Sequence, residues 1–168
     1  MSVSFYTITI PVFVRVLGNL AAIVDKAAAH AELRKIDPAV LLGSRLYPDM
    51  FPLSRQLQRA LAIPAGAVAR LARVDEPQFA VDAAGFADFT AAIQAAIAFL
   101  SGIEPAQIDG GEERILTVKR GGETLDVVAL PHVLDNVLPN FYFHVTTAYA
   151  LLRHNGVEIG KRDFLGRS

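Results

Sequence analysis

The stretch from Pro139 to Gly156, Pro-Asn-Phe-Tyr-Phe-His-Val-Thr-Thr-Ala-Tyr-Ala-Leu-Leu-Arg-His-Asn-Gly, constrains this chain more than any other. Leading into it and along it, apolar residues recur at Leu134, Val137, Phe141, Val145, Ala148 and Leu152, the spacing that lines one side of a 3.6-residue helix. Asn155-Gly156 supplies the left-handed residue that ends such a helix. One oily side must be buried against other elements, so the chain is expected to build a helical core around this segment. On the edge of the stripe, one turn apart, sit Asn140 and His144, two polar side chains aimed at the rim of that core.

The partners for this helix lie earlier in the chain. Phe13, Val16, Leu17, Leu20, Ile23, Val24 and Ala27 mark a first helix, while Val14, Gly18, Ala21 and Ala22 make a small, uncharged band on its other side that would let a second subunit approach. Asp37-Pro38 is an N-cap followed by a proline at the first helical position, the signature of a short helical turn. From Pro48 a second long helix shows Met50, Leu53, Leu57, Ala60, Leu61, Ala67, Val68 and Leu71. Its stripe keeps phase across Pro64, which fits one kinked helix better than two, although Ile63-Pro64 with Gly66 could also be a true break. Arg55, Arg59, Arg70 and Arg73 fall off the stripe and read as a solvated face. After a loop in which Asp82 could cap, Phe86, Phe89, Ile93, Ala96, Ile97 and Leu100 define a third long helix.

The period then changes. Residues 114–119 and 124–128 flank Gly121-Gly122, the composition of a β-hairpin closed by a tight glycine turn. A lone hairpin is marginal in water and must lie on the helices. The expected architecture is an all-α four-helix bundle with a small β-hairpin between the third and fourth long helices, a single domain over residues 1–168.

Composition narrows the function classes. Sixteen basic against seventeen acidic side chains leave no large positive field, which disfavours nucleic acid as a partner. The absence of cysteine removes disulfides, thiolate nucleophiles and cysteine-ligated metal. Arg15, Asn19, Pro11 and Gly18 interrupt the apolar N-terminal run, which fits neither a signal peptide nor a membrane span, so a cytoplasmic protein with no membrane partner is expected. With 52% apolar residues and a mean hydropathy of +0.36, apolar surface should remain after one core is filled, favouring self-association. No Gly-x-Ser-x-Gly, phosphate loop or paired-histidine metal spacing is present. His30, His132 and His154 read as surface or terminal residues. Asn19, Gln56, Asn140 and His144 instead sit on or beside apolar stripes, and in a bundle they could converge on one interhelical polar pocket, either bonding one another or bonding a small molecule.

The motifs Pro48-Asp49-Met50-Phe51-Pro52-Leu53-Ser54-Arg55-Gln56, Pro139 to Tyr149, and Leu152 to Gly166 resemble an uncharacterised bacterial family placed among the DinB-like helix bundles, over nearly the whole chain from Tyr6. The resemblance implies a four-helix bundle with up-down-down-up connections, commonly a homodimer. Characterised members of that superfamily resemble metal-dependent thiol transferases and isomerases that bind a divalent metal through three histidines, one on the second helix and a His-x3-His pair on the fourth. In that alignment His144 matches the second histidine of the pair and is the one plausible metal ligand, Asn140 falls at the first, and Gln56 falls near the second-helix ligand. The resemblance therefore implies a degenerate metal site. Three readings are open: a small-molecule-binding bundle, a metal-dependent transferase or hydrolase using His144, and a dimeric interaction protein. Phe143, about 200° around the helix from Phe141, is the outward aromatic that would serve the last.

Overall fold

A computed structural model describes residues 3–79 and 85–166; Asp82, read above as a cap, lies outside the described residues. Helix α1 (Ile10–Arg34) begins with Pro11 in its first turn and ends on Lys35 in the left-handed conformation. The short α2 (Pro38–Leu42) starts as its sequence implies, with Asp37 Oδ1 accepting from the Ala39 amide at 2.9 Å. Helix α3 (Leu53–Ala72) is one helix with Pro64 inside it. It begins at Leu53 and not at Pro48, because Pro52 holds an extended backbone at the N-cap and leaves Met50 in the connection. Helix α4 (Phe86–Ser101) and the short α5 (Pro105–Ile108) come next.

Strands β1 (Ile115–Arg120) and β2 (Glu123–Val128) pair antiparallel, with Ile115 opposite Val128 and Arg120 opposite Glu123. Between them Gly121 and Gly122 have φ of 60° and 90°, the positive pair that a two-residue hairpin turn requires and that side chains resist. The hairpin is fastened to the helices at its base. Arg114 donates to the carbonyl of Leu71 in the last turn of α3, and the Ala129 and Leu130 amides donate to the carbonyls of Arg114 and Glu112 at 2.9 Å each. Leu116 and Val118 turn inward and are buried, whereas Thr117 and Lys119, on the opposite face, are exposed.

From Ala129 to His154 the backbone is helical without a break: α6 (Ala129–His132), a π turn (Val133–Val137) and α7 (Leu138–His154). Pro139, just past the π turn, has no amide proton to donate, and the wider turn takes up one extra residue ahead of it. This shifts the phase of the apolar stripe. Val137, Phe141, Val145, Ala148 and Leu152 are buried as their spacing implies, but Leu134 is 46% exposed and Val133 takes its place in the core. Helix α7 stops at His154, with Gly156 just beyond it in the left-handed conformation, φ 89°.

Helix α1 packs along α4, and α3 along α7, the two pairs sharing a core in which Phe13 meets Phe141 edge-on at 5.2 Å. The expected stripes of the first three long helices are buried in this core, Met50 and Ile97 being half-buried. After Gly156, Val157 and Ile159 are buried and α8 (Lys161–Leu165) docks against α1 and α7, with Phe164 edge-on to Tyr149 at 5.9 Å. Of the small band on α1, Ala21 is buried, Ala22 is exposed, and the space beside Gly18 is open. Among the described residues no helix is long and apolar enough to cross a membrane.

Phe141→Ala would remove the aromatic shared by both helix pairs. Chemical denaturation should show a loss of about 3–5 kcal/mol, whereas a loss under about 1 kcal/mol would mean that the two pairs do not depend on this contact.

Candidate functional site

The α3–α7 seam carries a buried polar contact. Gln56, 1% exposed, donates from Nε2 to the Phe51 carbonyl at 3.1 Å, which turns its Oε1 toward His144 Nδ1 at 2.6 Å. A carboxamide oxygen only accepts, so Nδ1 carries the proton and Nε2 holds the imidazole lone pair. Nε2 makes no hydrogen bond among the described residues. The fully enclosed unpartnered side-chain atom among them is Arg70 Nε, so the His144 lone pair reaches the surface.

Burial lowers the His144 pKa from 6.5 to about 4, and the nearby Arg59 and then Arg55 guanidinium groups push the same way. At neutral pH the ring is uncharged. Two aromatics flank it: Phe51 stacks at 6.5 Å with the planes 15° apart, and Phe143 stands edge-on at 5.4 Å. Arg55 lies over the first of these rings, 5.7 Å from the Phe51 centroid.

Beside this pair opens a cavity of about 660 Å³. Arg59, Ile63 and Arg70 of α3 form one wall, Thr117 and Lys119 of β1 a second, and His132, Asn136 and Asn140 a third. Helical geometry explains the α3 wall: at about 100° per residue, positions 59, 63, 66 and 70 fall within about 40° of one direction. The opposite wall uses the π turn. His132, Asn136 and Asn140 are four residues apart, a spacing that drifts around a plain α-helix, and the wider turn between Val133 and Val137 opposes the drift. Asn136 and Asn140 make no side-chain hydrogen bond among the described residues. Arg70 Nη1 meets Glu76 Oε2 at 3.3 Å, and Glu76 lies against Gly66, where a β-carbon would stand 2.7 Å from its Oε1.

The four polar residues expected to converge are thus distributed. Gln56 and His144 bond each other, and Asn140 faces the cavity one turn away. Asn19 does not join them: its Nδ2 donates to the Phe164 carbonyl at 3.0 Å, because α8 folds back over that side of α1. Arg59 and Arg70 correct the reading of a solvated face. Both are half-buried against the cavity, since the hairpin stands over that side of α3, while Arg55 and Arg73 are exposed. His132 likewise lines the cavity and is half-buried, not a surface residue. The signal available in the sequence was the spacing of 59, 63, 66 and 70; what it lacked was the position of the hairpin.

A family model described as a domain of unknown function, DUF1993, matches residues 5–165. The chain belongs to the DUF1993 family. This DUF1993 chain is also similar to the crystal structure of a DinB family member protein from Shewanella denitrificans, with 38% identity, a TM-score of 0.84, and coverage of 96% of this chain and 91% of that one. No curated protein matches it. The DinB-like bundle expected from the sequence is therefore the fold. A three-histidine metal centre does not fit the DUF1993 chain's own donors: at that place it offers one imidazole and two carboxamides, and the Gln56 oxygen already accepts from His144. Among the described residues no three His, Cys, Asp or Glu side chains come together as metal ligands.

The depressed His144 pKa has a sign. A proton that the unfolded chain takes near 6.5 and the folded chain only near about 4 opposes folding between those values. The contribution of His144 to stability is intact above pH 6.5 and is lost as pH falls toward about 4. NMR titration of the imidazole should find it neutral until that range, and the urea midpoint of His144→Gln should fall less over the same window than that of the parent.

Proposed function

We propose that this chain is a small-molecule-binding DinB-like bundle that holds its ligand in the cavity between α3, the hairpin and the π turn, next to a degenerate metal position. The observation that carries the reading is the cavity itself. Its volume of about 660 Å³ lies in the range of small-molecule sites, and unbonded Asn136 and Asn140 amides line it beside cationic side chains. Arg59 joins the cavity to His144, because it lines the one and its charge acts on the other. Gln56 supports this arrangement by fixing the His144 ring, and Asn140 offers a carboxamide able both to donate and to accept. The reading is one of binding and assigns no reaction.

A second reading rests on a different observation. Phe143 is 53% exposed and Phe51 47%, on either side of His144, with Tyr47 and Leu46 also exposed in the connection before α3. An apolar face of this kind suits a second copy of the chain, and the homodimer would then cover the His144 edge.

Ligand-observed NMR with a library of small polar metabolites tests the first reading. Binders should lose their signal with Asn140→Leu while its circular dichroism is unchanged, and a library without any Asn140-dependent binder would refute it. Light scattering tests the second: Phe143→Asp should be monomeric where the parent is dimeric, and an unchanged dimer would exclude this face.

A further inference from the structure

We propose that the cavity takes a small molecule bearing a carboxylate or phosphate group, and that Glu76 occupies the Arg70 end of the site while that group is absent. The inference deepens the binding reading above and rests on it.

Charge is the first ground. The chain as a whole has a formal net charge of −1, yet the cavity wall brings together the fixed cations Arg59, Arg70 and Lys119 with Glu76 as its carboxylate. A local excess of positive charge inside an almost neutral protein is a property of this concavity, not of bulk composition. Arg59 and Lys119 have no ion pair or hydrogen bond among the described residues.

Unspent hydrogen-bonding capacity is the second. Arg70 Nε is enclosed and has no acceptor among the described residues. Its contact with Glu76, made through Nη1 at 3.3 Å, is longer than the 2.7–2.9 Å or so typical of charge-assisted bonds. A guanidinium is built to grip an oxyanion with two parallel donors, and here one donor is loosely used and another unused. Asn136 and Asn140 add amide donors from the facing wall.

The third is a seat shaped for a carboxylate. Helix α3 is bare at Gly66, and the Glu76 carboxylate rests where a β-carbon would otherwise approach to 2.7 Å. Glu76 is itself 45% exposed on a loop following α3, so its carboxylate is open to competition from another oxyanion for Arg70. The site holds a stand-in of the chemistry it would bind.

Calorimetric titration of the full chain at low ionic strength with citrate and, separately, with inorganic phosphate tests the proposal, and the arm that binds identifies which oxyanion the site prefers. Arg59→Gln should weaken binding at least about five-fold and Glu76→Gln should strengthen it by a similar factor. Gly66→Ala, which displaces the Glu76 carboxylate without changing charge, should also strengthen it. Opposite directions in folded variants exclude a trivial loss of structure. The proposal falls if sodium chloride at matched ionic strength gives the same heats, or if Arg59→Gln and Glu76→Gln bind as the parent does. Should neither anion bind while Asn140-dependent ligands are found in the metabolite library, the anion class is wrong and the binding reading stands; if those are missing too, both fall.

Discussion

One hydrogen bond, from His144 Nδ1–H to the Gln56 carboxamide, joins the second long helix to the last across their shared apolar seam. Both groups are buried, so neither could be left unpaired without the cost of a desolvated polar group. Much else depends on it. The bond fixes the imidazole tautomer, sends the lone pair outward, and holds the ring between Phe51 and Phe143. It also uses the Gln56 oxygen, which is spent on the imidazole inside the seam.

The electrostatics around that bond and the cavity next to it form one system. Arg59 helps keep His144 neutral and at the same time faces the cavity. An anion bound there would partly neutralise Arg59 and ease its effect on the imidazole. The polar pair and the cavity are coupled through a single guanidinium, although their lining residues differ.

Much of the fold was legible in the sequence because burial tracks periodicity. The stripes of α1, α3 and α4, the Asp37 cap, the Gly121-Gly122 turn and the stop at Gly156 are local, and local chemistry decides them. The spacing also left room for Gln56 and His144 to meet, since each lies at the edge of an apolar stripe, and the structure brings these two together. The misses share another cause. Arg59, Arg70 and His132 are ordinary surface residues on their own helices and become cavity walls only when the hairpin is laid over them. Asn19 has the same amphipathic position as Gln56, but α8, from the far end of the chain, reaches it first. Leu134 was misplaced because a periodicity of 3.6 assumes an unbroken α-helix, and the π turn is not written in any one residue type.

That turn has an architectural implication. A π turn is an α-helix carrying one surplus residue, so a chain lacking a single residue between Val133 and Val137 would still form a helix from Ala129 to His154. The part of the helix before the missing residue would be rotated by about 100° relative to the part after it. His132 and the hairpin tied to Ala129 and Leu130 would then point elsewhere, while the Gln56–His144 bond, downstream, would be untouched. A one-residue length change at this position could therefore erase the cavity and spare the bundle.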